Sequence, residues 1–201
     1  MGMCLALTIL GDENITRVLA DPPLIWKVVA PEEPEMFESA RAEQKRPGLL
    51  SRLFGRRAER TREQEFMLTP PEGTNTDLDK AWHGIHYLLT GSADEGNPPL
   101  DFLVRGGRAV GDVEVGYGLA RALTSKQVRE VSEALRTLSA DALRARFDPG
   151  DMIAKEIYPE IWERSAEDDD PLGYLMENVK VLRDILEQAV SHRLGLVIHV
   201  T

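Results

Sequence analysis

Cysteine is almost missing from this sequence, and so are the long apolar runs that mark a membrane-spanning chain. The single cysteine, Cys4, excludes an internal disulfide and points to a reducing compartment. No stretch approaches the roughly 20 apolar residues needed to cross a bilayer. The start, Met1-Gly2-Met3-Cys4-Leu5, has no basic region ahead of its apolar run and does not read as a signal peptide. Ala6 stands where a myristoylation pattern wants Ser or Thr. A cytoplasmic location is the expectation. Positive charge is also short: 24 Lys and Arg against 34 Asp and Glu leave a net charge of −10. That sign argues against nucleic acid as a partner, because phosphate binding needs a basic surface that releases counterions.

Catalytic signatures are absent as well. There is no nucleophile elbow, P-loop, metal-ligand set or paired-carboxylate motif, so neither a cofactor nor a metal is expected. What remains is an ordinary globular composition: 201 residues, 42% hydrophobic and 29% charged, enough for one good core in one domain over residues 1–201. Two readings of function follow. One is a non-catalytic binding or interaction module for a small ligand or a partner protein. The other is a small enzyme acting on an anionic substrate.

Local patterns give the expected elements. Met3–Leu10 is a β-rich run ended by Gly11, and Asp12 is placed to cap a short helix carrying Ile15 and Val18. Residues 31–65 change character and read as a charged insertion or excursion. Acidic residues come first, and Arg41–Arg62 then holds eight basic and two acidic residues. Within it, Leu49, Leu50, Leu53 and Phe54 lie opposite Arg46, Arg52, Arg56 and Arg60 on a notional helix. Residues 46–60 could therefore touch an anionic membrane surface or an acidic partner; the alternative is a stretch packed by its own leucines.

Leu78, Trp82, Ile85 and Leu89 recur at helical spacing after Asp77 and before Gly91. Val113-Glu114-Val115 alternates like a strand, followed by a Gly116-Tyr117-Gly118 turn. Thr124 and Gln127 form a capping box, Ser139 caps a helix ending near Phe147, and Asp148-Pro149 and Asp170-Pro171 each supply a cap with proline at the first helical position. Leu196–Val200 closes the chain as a strand. The predicted fold is α+β and mostly helical, with a small sheet formed by the N- and C-terminal strands plus short internal strands.

Four stretches carry a resemblance: Met1-Gly2-Met3; Asp79-Lys80-Ala81-Trp82 with His86 and Leu89-Thr90-Gly91; Gly116-Tyr117-Gly118-Leu119-Ala120-Arg121; and Ile157-Tyr158-Pro159. Together they resemble the YfbM-like family, a bacterial domain of unknown function, across most of the chain except residues 31–65. The resemblance implies a fold context and supplies no activity, cofactor or catalytic residue.

Three groups of residues could carry chemistry. Asp79, His83 and His86 fall at i, i+4 and i+7; two histidines one turn apart can share a metal ion, while the plainer alternative makes His86 a backbone-bonded histidine at the core boundary and leaves His83 and Asp79 exposed. Arg121, just past Gly116-Tyr117-Gly118, could clamp a carboxylate or phosphate, or could make a salt bridge within the fold. Pro159 predicts that the helix begun at Asp148 breaks at Tyr158, and broken helices border pockets. The candidate pocket gathers His86, Tyr117, Arg121, Glu156 and Tyr158, with His86 as general base, Glu156 as general acid or base and Arg121 as anion clamp. A structure that sets Arg121 apart from His86 would remove that pocket.

Overall fold

Alternating side chains lay down the sheet. The computed structural model describes residues 2–44, 66–165 and 169–201. Strand β1 (Leu5–Leu10) sends Leu5, Leu7 and Ile9 to one face and Leu10 to the other. Strand β5 (Gly195–Val200) does likewise, with Leu196 and Ile198 against Val197. These two strands are apolar almost throughout because both their faces are covered. They pair antiparallel at the centre of a five-stranded antiparallel sheet. Strands β2 (Asn75–Asp77), β3 (Arg108–Glu114) and β4 (Leu119–Leu123) complete it in the order β2-β1-β5-β4-β3.

The larger core lies under α4 (Trp82–Thr90), α5 (Ser125–Arg136) and α8 (Pro171–His192). Leu175, Val179, Leu182 and Leu186 of α8 face it at helical spacing. The short helices α6 (Ala140–Arg144) and α7 (Pro149–Ala154) join it through Leu143 and Met152. The opposite face holds a second, smaller core. It is roofed by α1 (Asp12–Ala20), a 3₁₀ turn at Pro22–Ile25 and α2 (Trp26–Val29). Helix α3 (Pro34–Gln44) follows with no buried residue, and Phe37 packs partly on that second core. The α+β expectation, with terminal strands united in one sheet and helices dominant, is what forms. Among the described residues no helix is long and apolar enough to cross a membrane.

The capping devices act as their chemistry dictates. The Thr124–Gln127 box is complete, Ser139 accepts from Ala142 N–H at 3.1 Å, and Asp148 and Asp170 cap α7 and α8 ahead of their prolines. Several local expectations shift. Asp12 is the first residue of α1 rather than its cap, and its carboxylate instead accepts from the Ser125 N–H at 2.7 Å, capping α5 across the fold. Asp77 accepts the Asp79 N–H at the start of a 3₁₀ turn, Asp79–Ala81, that leads into α4 and has Leu78 at its cap position. The helix after Ser139 stops at Arg144, and that begun at Asp148 stops at Ala154. The amphipathic stretch 46–60 lies outside the described residues, as do Glu167 and Asp168.

Candidate functional site

Three of the four stretches that carry the family resemblance meet in space, and their polar groups hold backbone. Trp82 donates its indole N–H to the Met3 carbonyl at 3.1 Å, while the Tyr158 hydroxyl accepts the Met3 N–H at 3.0 Å. The Tyr158 N–H donates to His83 Nδ1 at 3.0 Å, and His83 Nε2 meets the Ala93 carbonyl at 2.8 Å. Those two partners fix the neutral tautomer with the proton on Nε2. Burial lowers the His83 pKa, which agrees with a neutral ring. The Trp82 and His83 rings stack with centroids 5.0 Å apart. His83 thus stitches α4 to the 93 loop and to the Ile157-Tyr158 segment, the backbone role expected of His86.

Asp79 leaves this stripe. It precedes α4 in the 3₁₀ turn with φ +47, so the i, i+4 spacing from a continuous helix does not apply to it. Its carboxylate accepts from the Tyr174 hydroxyl at 2.8 Å and from the Cys4 thiol at 3.4 Å. Burial, then the hydrogen bond to Asp79, raise the pKa of both Tyr174 and Cys4 and keep each protonated. A thiol held this way is a poor nucleophile. Among the described residues no three His, Cys, Asp or Glu side chains cluster closely enough to hold a metal ion.

His86 is fully buried, and neither ring nitrogen has a hydrogen-bond partner. Burial first, and the neighbouring His83 second, push its pKa down to about 4. An imidazole sealed in this way is uncharged at neutral pH and has no route to a substrate proton in this conformation. Arg121 projects from β4 and donates to the carbonyls of Phe102 at 3.0 Å, Leu103 and Gly106. It gathers the turn that carries the buried Phe102 and Leu103, and its fold-internal partners are carbonyls rather than a carboxylate. Tyr117 is 55% exposed in the β3–β4 turn. Glu156 is exposed beyond α7 with φ +54. No hydrogen bond or ion pair joins any two of His86, Tyr117, Arg121, Glu156 and Tyr158.

A broad concave surface lies elsewhere. A groove of about 840 Å³ runs between α3, the Pro22–Ile25 turn and the outer strand β3. A bulge builds it. Between the pairs Ala109↔Arg121 and Glu114↔Leu119 the β3 strand has four residues to one in β4, so the chain swells outward. At its crest Gly111 adopts φ +56 and lies so close to Pro22 that a Cβ would collide with the ring. Trp26, Met36, Val113 and Leu119 give the groove its apolar lining, and Glu43, Asp112 and Glu114 stand exposed along it. Among the described residues none that lines it is Lys or Arg. Gly111 inside an alternating strand pattern marks an irregularity in the sequence, while its seat on Pro22 and the extent of the bulge come from the fold.

Comparison with known proteins returns the same fold context. A family model described as "Domain of unknown function (DUF1877)" matches residues 1–199. The crystal structure of YfbM from Escherichia coli, a protein of unknown function, superposes with a TM-score of 0.63 at 16% identity, over 98% of this chain and 99% of that one. At that identity the likeness is one of fold. No curated protein matches the chain.

Proposed function

The chain belongs to the family described as a domain of unknown function, DUF1877, and we propose that it is a non-catalytic interaction module that recognises a partner protein through the α3–β3 groove. One observation carries this reading: the groove is large and open, with an apolar lining and exposed acidic side chains along it. Its volume falls within the range of ordinary ligand sites. By contrast, the side chains best suited to chemistry are already engaged. Arg121 serves three carbonyls and His83 two backbone groups. A cytoplasmic setting belongs to the same reading, supported by a lone free cysteine.

An immobilised peptide array, probed with the purified full chain and with its Leu119→Ser variant, tests the reading. Spots that bind the parent chain and lose the variant support it. A parallel thermal-shift panel of divalent metals, nucleotides, sugar phosphates and organic acids gives the opposing outcome. A ligand at about 100 times its dissociation constant adds roughly 2.7 kcal/mol to the folded state. Such a stabilisation, abolished by Arg121→Ala or His86→Ala, would replace the partner-protein reading with a small-ligand or enzymatic one.

A further inference from the structure

We infer that the α3–β3 groove takes a cationic, leucine-type apolar segment of a partner protein, an inference that rests on the interaction-module reading above. Charge and shape select this occupant together. Among the described residues, Glu43, Asp112 and Glu114 are exposed around the groove and no Lys or Arg lines it. Three exposed carboxylates beside an apolar surface favour a segment that brings guanidinium or ammonium groups to the rim and aliphatic side chains to the floor. The apolar surface continues past the groove. Leu119 is 39% exposed, Tyr117 in the adjoining turn is 55% exposed, and these are two of only four large hydrophobic residues exposed to that degree among the described residues.

The backbone sets the mode of recognition. Strand β3 closes one edge of the sheet, where a visiting strand could pair with it. Its four-against-one bulge, anchored by Gly111 on Pro22, breaks the ladder that such pairing needs. Side-chain contacts with Trp26, Met36 and Leu119 therefore carry the binding, rather than strand addition.

Fluorescence anisotropy with three short labelled peptides tests the inference on the full-length protein. One alternates arginine and leucine, one glutamate and leucine, and one arginine and serine. The arginine–leucine peptide is expected to bind best and to weaken as salt rises. Leu119→Ser should cost at least about fivefold in affinity, and Asp112→Asn with Glu114→Gln roughly twofold to fivefold. Neutralising Glu130 and Glu133 on the exposed face of α5 should leave affinity unchanged. Equal binding of the glutamate–leucine peptide, still dependent on Leu119, would overturn the cationic preference and leave the groove as the binding surface. Failure of every peptide to respond to Leu119→Ser would remove the groove reading as well. A concentration-dependent dimer in sedimentation, lost in Leu119→Ser, would assign the groove to a second copy and overturn the inference.

Discussion

The face around Met3, Asp79, His83 and Tyr158 and the groove between α3 and β3 use polar residues in opposite ways. On the first, each donor found an acceptor within the chain: indole to Met3, hydroxyl to Asp79, imidazole to Ala93. In the groove, Glu43, Asp112 and Glu114 point to water beside apolar side chains. The residues that identify the family are therefore the ones that fasten the frame. The surface free to engage another molecule is built from residues that belong to none of those stretches except Leu119. On the proposed reading fold and function lie in different parts of the molecule, and a resemblance carried by the frame reports on the fold.

Substitutions should divide along the same line. The largest effect is expected at Trp162, which is 1% exposed and donates to the Ile157 carbonyl at 2.6 Å. Trp162→Ala should cost about 3–5 kcal/mol in urea unfolding, and a loss below 1 kcal/mol would show that this side of the core is not fastened as described. Arg121→Met strands three carbonyls and should cost on the order of 3 kcal/mol; an unchanged urea midpoint would free Arg121 for ligand work.

His86 gives a pH test. Its folded pKa, about 4, lies below the ordinary 6.5 of the unfolded chain, so the unfolded chain takes up the proton first. The stability associated with a neutral His86 is complete above pH 6.5 and is lost as the pH falls from there towards 4. The shift is worth on the order of 2–3 kcal/mol. Burial lowers the pKa of His83 and His199 too, so the informative quantity is the difference from His86→Leu, whose melting temperature should fall less steeply over that window. Parallel slopes would mean that His86 reaches water in the native ensemble.

Tyr158→Phe removes one acceptor, for the Met3 N–H, and should cost about 1 kcal/mol in the same urea titration. The smallest effect is expected in the groove. Leu119→Ser should stay within about 0.5 kcal/mol of the parent while changing binding, and a frame-sized loss there would erase the distinction between the two regions.

Much of the fold was readable because it follows local rules. The two Asp-Pro caps, the Thr124 box, the apolar face of α8 and the terminal strands all rest on spacing alone. Strand β4 was not readable: Leu119–Leu123 is short, and Arg121 interrupts its apolar pattern to satisfy carbonyls contributed by a distant turn. Strand β2 is polar throughout, an edge strand formed by pairing with β1 rather than by its own propensity. The two histidines of α4 departed from their anticipated roles for a similar reason. Helical spacing placed them on one stripe, and only the path of the loop past Gly91 decided that His83 reaches Ala93 while His86 is sealed. Candidate residues chosen by type were, in this molecule, mostly structural fasteners. The groove depends on a bulge and on Pro22 meeting Gly111, contacts that no linear pattern records.

The most direct test is a nitrogen-15 chemical-shift titration of the full chain with the unlabelled arginine–leucine peptide. The expected perturbations gather at Met36–Gln44, Gly111–Glu114 and Leu119, and leave Met3, His83 and Tyr158 unmoved. Perturbations centred instead on Met3, Asp79 and Tyr158 would place recognition on the frame and contradict the division between the two regions.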